Sequence, residues 1–152
     1  MTDKNERVEI QIPSASVTVA DVRCPNGCDL MVPDRPIHGH PSIGVRISFG
    51  EKSGMIYLDP AYGSFDNQCD VEIPEGEVVR FDCPHCGASL LDEEEICQTC
   101  SAPLFTLHLP KGGIVEGCLR KGCFYHRLRI VDLDAQFVRL YKDELSGTRT
   151  YL

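Results

Sequence analysis

Apolar and polar residues alternate with a period of two along most of this chain. "RVEIQIP" (7–13) and "SVTVADVRC" (16–24) both alternate, and "PSAS" between them has turn composition. The pattern predicts a β-hairpin there. "VRISF" (45–49), the turn "GEKSG" and "MIYL" (55–58) predict a second. "DVEI" (70–73), "PEGE" and "VVRF" (78–81) predict a third. "LFTLHL" (104–109) and "YHRLRIV" (125–131) are further strand candidates. The period changes only at the tail. In 132–146 the residues Leu133, Phe137, Leu140, Tyr141 and Leu145 recur at helical spacing, with Asp132 or Asp134 placed to cap. Two stretches, 24–44 and 59–68, are dense in Pro, Gly and polar residues and read as loops. The expected fold is mostly β, a small α+β domain of β-hairpins over 1–152, closed by one C-terminal amphipathic helix.

Composition narrows the function classes. At 152 residues and 42% hydrophobic content the chain has the material for one real core. It holds no apolar run near 18 residues, so no membrane span is expected. The first fifteen residues lack signal-peptide character, which points to a cytoplasmic protein. A reducing compartment makes the nine cysteines candidates for metal or redox use rather than disulfides. The net charge of −8 argues against a general nucleic-acid binder, because such affinity rests on neutralising phosphates. The charge is polarised, however. From Asp66 to Glu95 there are ten acids and one base, Arg80, whereas from Lys111 to Arg129 there are five bases and one acid, Glu116. Two faces of opposite sign suit a protein partner better than bulk nucleic acid.

"CPHCGASLLDEEEICQTC" carries the strongest chemical signal. A C-x-x-C turn points backbone N–H groups at two thiolates, and two such turns can supply a tetrahedral four-sulfur site. Gly87 suits the left-handed position after the first knuckle, and Ser101 stands where the second would favour glycine. Residues 80–106 resemble a zinc ribbon, with rubredoxin-like CxxC knuckles. The resemblance implies a nested ribbon holding one metal on Cys83, Cys86, Cys97 and Cys100. It says little about function, because ribbons serve in transcription factors, ribosomal proteins, enzymes and assembly factors. Zinc is the expected ion, and four thiolates would also take iron.

Two looser pairs remain, "CPNGC" (24–28) and "CLRKGC" (118–123). Each lacks two ligands. The simplest completion joins Cys24, Cys28, Cys118 and Cys123 around a second metal, closing a loop of about 90 residues. His126 could replace one of these cysteines or be a half-buried strand residue. Cys69 reads as a buried free thiol. "IHGHPS" places His38 and His40 near Asp34, either as a polar loop or as an open three-ligand metal site. "RKGCFYHRLR" mixes Arg120, Lys121, Arg127 and Arg129 with Phe124 and Tyr125, a pattern shared by single-strand nucleic-acid binders and by basic outer faces of strands. "LDEEE" (91–95) reads as a solvated turn or a dock for a basic partner. No P-loop, G-x-G-x-x-G, H-E-x-x-H or G-x-S-x-G is present. The deaminase pattern fails because neither His38 nor His40 has a Glu two residues on. The expected function is therefore a non-catalytic protein with two zinc ions, acting through protein contacts as an accessory or assembly subunit. A nucleic-acid-associated ribbon and a rubredoxin-like electron carrier or metalloenzyme subunit are the alternatives.

Overall fold

A computed structural model describes residues 8–9 and 18–130. Among the described residues ten strands form two antiparallel sheets. The first has the order β1 (Val8–Glu9), β10 (His126–Ile130), β9 (Ile114–Cys118), β8 (Pro103–His108), β7 (Leu91–Ile96). The second runs β2 (Met31–Ile37), β3 (His40–Phe49), β4 (Lys52–Leu58), β5 (Gln68–Cys69), and β6 (Arg80–Asp82) also pairs with β3. A single 3-10 turn, Pro110–Gly112, is the one helical element among the described residues. The mostly β architecture matches the period-two pattern. The expected helix over 132–146 lies outside the described residues.

β3 organises the second sheet. Ile43, Val45 and Ile47 point inward and are buried, while Arg46 between them is exposed. They meet Leu107 of β8, Leu128 of β10 and Ile56 and Leu58 of β4 in one cluster. Both sheets thus share a core, which also takes in Val22, Leu30 and Leu90.

The β3–β4 hairpin forms as expected, but its turn is shorter than "GEKSG": Phe49 lies opposite Lys52, so only Gly50 and Glu51 turn and β4 begins at Lys52. Other pairings differ from expectation. The stretch 24–44 is a loop only as far as Leu30: from Met31 on, β2 and β3 form a hairpin through His38 and Gly39, whose φ values of 57° and 81° supply the left-handed pair a two-residue turn demands. "PEGE" does turn, with Glu77 N–H donating to the Pro74 carbonyl, yet its flanks do not pair with each other. β5 joins β4, β6 joins β3, and Val79 N–H donates to Leu119 O. β1 pairs with β10, and Thr18 bridges Ala61. "LDEEE" is an edge strand, not a turn. Its acidic side chains guard that edge against pairing with other chains.

Candidate metal centres

The strand pairings decide which cysteines meet. β2 and β6 lie end to end along the same edge of β3. Met31 pairs with Ile43, Leu30 O accepts from Gly44 N–H, and Asp82 pairs with Arg46. The chain entering β2 and the chain leaving β6 therefore converge beside Gly44 and Val45. This brings Cys24 and Cys28 to Cys83 and Cys86. The second meeting follows from the β8–β9 hairpin, in which Leu104 lies opposite Cys118. Cys97 and Cys100 precede β8 at the end where β9 delivers Cys118 and Cys123.

The eight cysteines named from the sequence thus form two groups of four, but the partners are exchanged. The expected sets were Cys83, Cys86, Cys97 and Cys100, and Cys24, Cys28, Cys118 and Cys123. The observed sets are Cys24, Cys28, Cys83 and Cys86, and Cys97, Cys100, Cys118 and Cys123, each with its sulfurs within 4.8 Å of one another. β7 is the physical reason. The link between the two C-x-x-C turns is a six-residue strand, and at about 3.3 Å per residue it holds them roughly 20 Å apart.

Each group has the geometry of a thiolate site that could hold a metal ion. Cys24 and Cys86 Sγ lie 3.8 Å apart, Cys97 and Cys123 Sγ 3.8 Å, and Cys100 and Cys118 Sγ 3.5 Å. A tetrahedron with metal–sulfur bonds of about 2.3 Å has edges of about 3.8 Å. Each knuckle aims a backbone N–H at its first sulfur: Asn26 to Cys24 at 3.2 Å, His85 to Cys83 at 3.3 Å, Thr99 to Cys97 at 3.3 Å and Arg120 to Cys118 at 3.4 Å. The Gly87 position takes φ 81°, and Ser101 takes φ 68° at the equivalent place.

The sulfurs within a group are not equivalent. The backbone N–H of Ala88 and the Asn26 amide pull Cys86 down to about 6. The Arg120 guanidinium, with Nε 3.4 Å from the sulfur, and the Ala102 N–H pull Cys100 down to about 6. Contact with Cys24 and then burial push Cys28 up to about 12, and burial raises Cys118. Each group thus holds one thiol, Cys86 or Cys100, that hydrogen-bond donors outside the group shift toward the thiolate.

The other candidates fall elsewhere. Cys69 is exposed on β5 and joins neither group. His126 Nδ1 sits 2.7 Å from Phe124 O, and its ring packs on Tyr62 and Phe65, away from the sulfurs. His40 and Asp34 join no ligand group among the described residues, whereas His38 meets Asp59 and Asp66. Nothing in the motif reading singled out those two aspartates, since the loop that carries them reaches the β2–β3 turn only in the fold. The basic stretch is largely spoken for. Arg127 holds Glu95 and the buried Glu116 at 2.5 and 2.7 Å, Arg120 holds Cys100 and Gly76 O, and Lys121 lies 4.0 Å from Glu75.

Beside the second group the surface turns apolar. Phe65 and Phe124 are 40% and 61% exposed, and their rings stand 4.8 Å apart. They border a cavity of about 290 Å³ whose inner wall includes Ile47, Phe81 and Leu107.

A scan of protein-family models finds no match to this chain, and searches of curated proteins and of solved structures find none. Among the described residues no helix is long and apolar enough to cross a membrane.

Proposed function

We propose that this chain is a non-catalytic protein that binds two zinc ions in closed four-thiolate sites and acts through protein contacts, as an accessory or assembly subunit of a larger complex. The observation that carries this reading is the junction of the second cysteine group with the aromatic surface. Phe124 directly follows Cys123, and its ring packs at a tilt against Phe65 at the cavity mouth. A metal held there fixes the backbone that presents Phe124. A four-sulfur site leaves no coordination position for substrate, so the metal serves geometry rather than turnover. Exposed aromatic residues around an apolar recess are the kind of surface a protein partner covers. The ribbon-like arrangement of each pair of knuckles, and one domain spanning the chain, belong to the same reading.

A photo-crosslinking residue at position 124 tests it in cells. The expected result is a discrete protein adduct, absent when the crosslinker stands at the exposed Glu51 and lost in Cys118→Ser, Cys123→Ser protein. No adduct, or an adduct only with nucleic acid, would overturn the proposal. The N–H···S bonds also suit a reducible iron–thiolate centre. Iron in the purified protein, with visible absorption that bleaches reversibly, would move the assignment to electron transfer.

A further inference from the structure

The turn between β2 and β3 reaches over to the 59–67 loop, and a third ligand set meets there. His38 Nε2 lies 3.1 Å from Asp59 Oδ2 and 3.0 Å from Asp66 Oδ2. We propose that His38, Asp59 and Asp66 bind a divalent first-row cation in an open, three-ligand site distinct from the two thiolate centres.

Charge is the first argument. The Asp59 side chain has no exposure to solvent, and a buried carboxylate requires compensation. Its oxygens accept from the Ala61 and Asp66 backbone N–H groups and the Ser64 hydroxyl, and Oδ2 also lies within hydrogen-bond distance of His38 Nε2. No Lys or Arg pairs with Asp59 or Asp66 among the described residues; His38 is the single cationic candidate. One imidazole nitrogen carries one proton at most, and here it faces two carboxylate oxygens. With His38 protonated the trio still carries one net negative charge, and a divalent ion on neutral His38 removes it. The contrasting group Asp92, Glu95 and Glu116 already has the Arg127 guanidinium.

Geometry is the second argument. Metal–nitrogen and metal–oxygen bonds of about 2.1 Å at right angles put neighbouring ligand atoms about 3.0 Å apart. The two observed separations have this length. His38 and Asp66 are 48% and 70% exposed on the outer side, so water fills the remaining positions. One imidazole with two carboxylates favours Mn²⁺, Fe²⁺ or Zn²⁺ over Ca²⁺. Binding releases the Nε2 proton if His38 carries one. The bound ion would tie the β2–β3 turn to the loop that holds Tyr62 and Phe65 in the cavity wall.

The test uses full-length protein with both thiolate centres loaded with zinc. Mn²⁺ is titrated in and the free ion is followed by electron paramagnetic resonance. One Mn²⁺ per chain is expected, competed by Zn²⁺, with broadening of the Gly39, Ser64 and Phe65 amide signals. His38→Asn keeps a residue that tolerates the left-handed backbone but cannot reach the ion. It and Asp66→Asn should each weaken binding at least tenfold, while Glu93→Gln leaves it unchanged. Amide spectra of the variants check that the fold persists. No Mn²⁺ uptake in the millimolar range overturns the proposal, as does uptake equal in all variants. So does an imidazole that remains protonated and hydrogen-bonded in the presence of the ion.

Discussion

The exchanged knuckles make a prediction that metal counting can decide. Removing only Cys118 and Cys123 takes one of two metals under either grouping and separates nothing. Replacing Cys97, Cys100, Cys118 and Cys123 together by Ser does separate them. These four residues form one group, so the quadruple variant should retain one metal, held by Cys24, Cys28, Cys83 and Cys86. Under the nested grouping the same variant would damage both sites and retain none. The cost of losing a site is large: a structural zinc contributes about 10–16 kcal/mol of apparent binding energy, against a net stability of about 5–15 kcal/mol. The two sites also differ from each other. Roughly 54 residues separate Cys28 from Cys83 and roughly 17 separate Cys100 from Cys118, so closing the longer loop costs about 1 kcal/mol more entropy. Loss of the first site should therefore be the more damaging. Native mass spectrometry with elemental analysis gives the count. Cadmium-substituted wild-type protein gives the partners without mutation, through couplings from each ¹¹³Cd to the β-protons of its own four cysteines. Couplings that join Cys83 to Cys97 through one cadmium would refute the strand-based account outright.

Three further outcomes follow from particular contacts. Ser101→Gly should raise stability by about 0.5–1 kcal/mol, because Ser101 sits at φ 68°, where a side chain costs about 1–2 kcal/mol and glycine's extra chain entropy offsets part of the gain; the midpoint of denaturant unfolding of the metal-loaded protein reads it. Gly117→Ala should destabilise by about 1–3 kcal/mol, since its new Cβ would stand 2.5 Å from the Phe105 ring, which is already packed on Phe81 at 5.0 Å; an unchanged thermal midpoint would contradict this packing. In metal-free protein, Cys86 and Cys100 should be alkylated first by iodoacetamide at pH 7, with rates that rise as pH climbs through about 6, where these two thiols ionise. Cys28, held up to about 12, should lag at the same pH, and peptide mapping by mass spectrometry resolves the order.

What could be read from the sequence was local, and what could not was long-range. The β3–β4 hairpin and the β8 and β10 strands are visible because inward residues such as Val45 and Ile47 alternate with exposed ones. The knuckles are visible because C-x-x-C with Pro and Gly is a local turn. β2 hides behind Pro33 and Pro36, and His38–Gly39 looks like a metal motif before it looks like a hairpin turn. β7 hides because "LDEEEI" is poor in strand formers; its acids are tolerated at a sheet edge where Arg127 meets Glu95. That one misread strand carries the error in metal pairing. Taken as a turn, 91–95 lets the two C-x-x-C knuckles close on each other; as the strand Leu91–Ile96 it forces them apart, and each must find a partner from another part of the chain. The partner is then set by which strand ends share an edge of β3 and which close the β8–β9 hairpin. Motif spacing marks the cysteines as candidate ligands, but only strand pairing says which of them meet, so the length and period of the link between two knuckles carries as much information as the knuckles themselves.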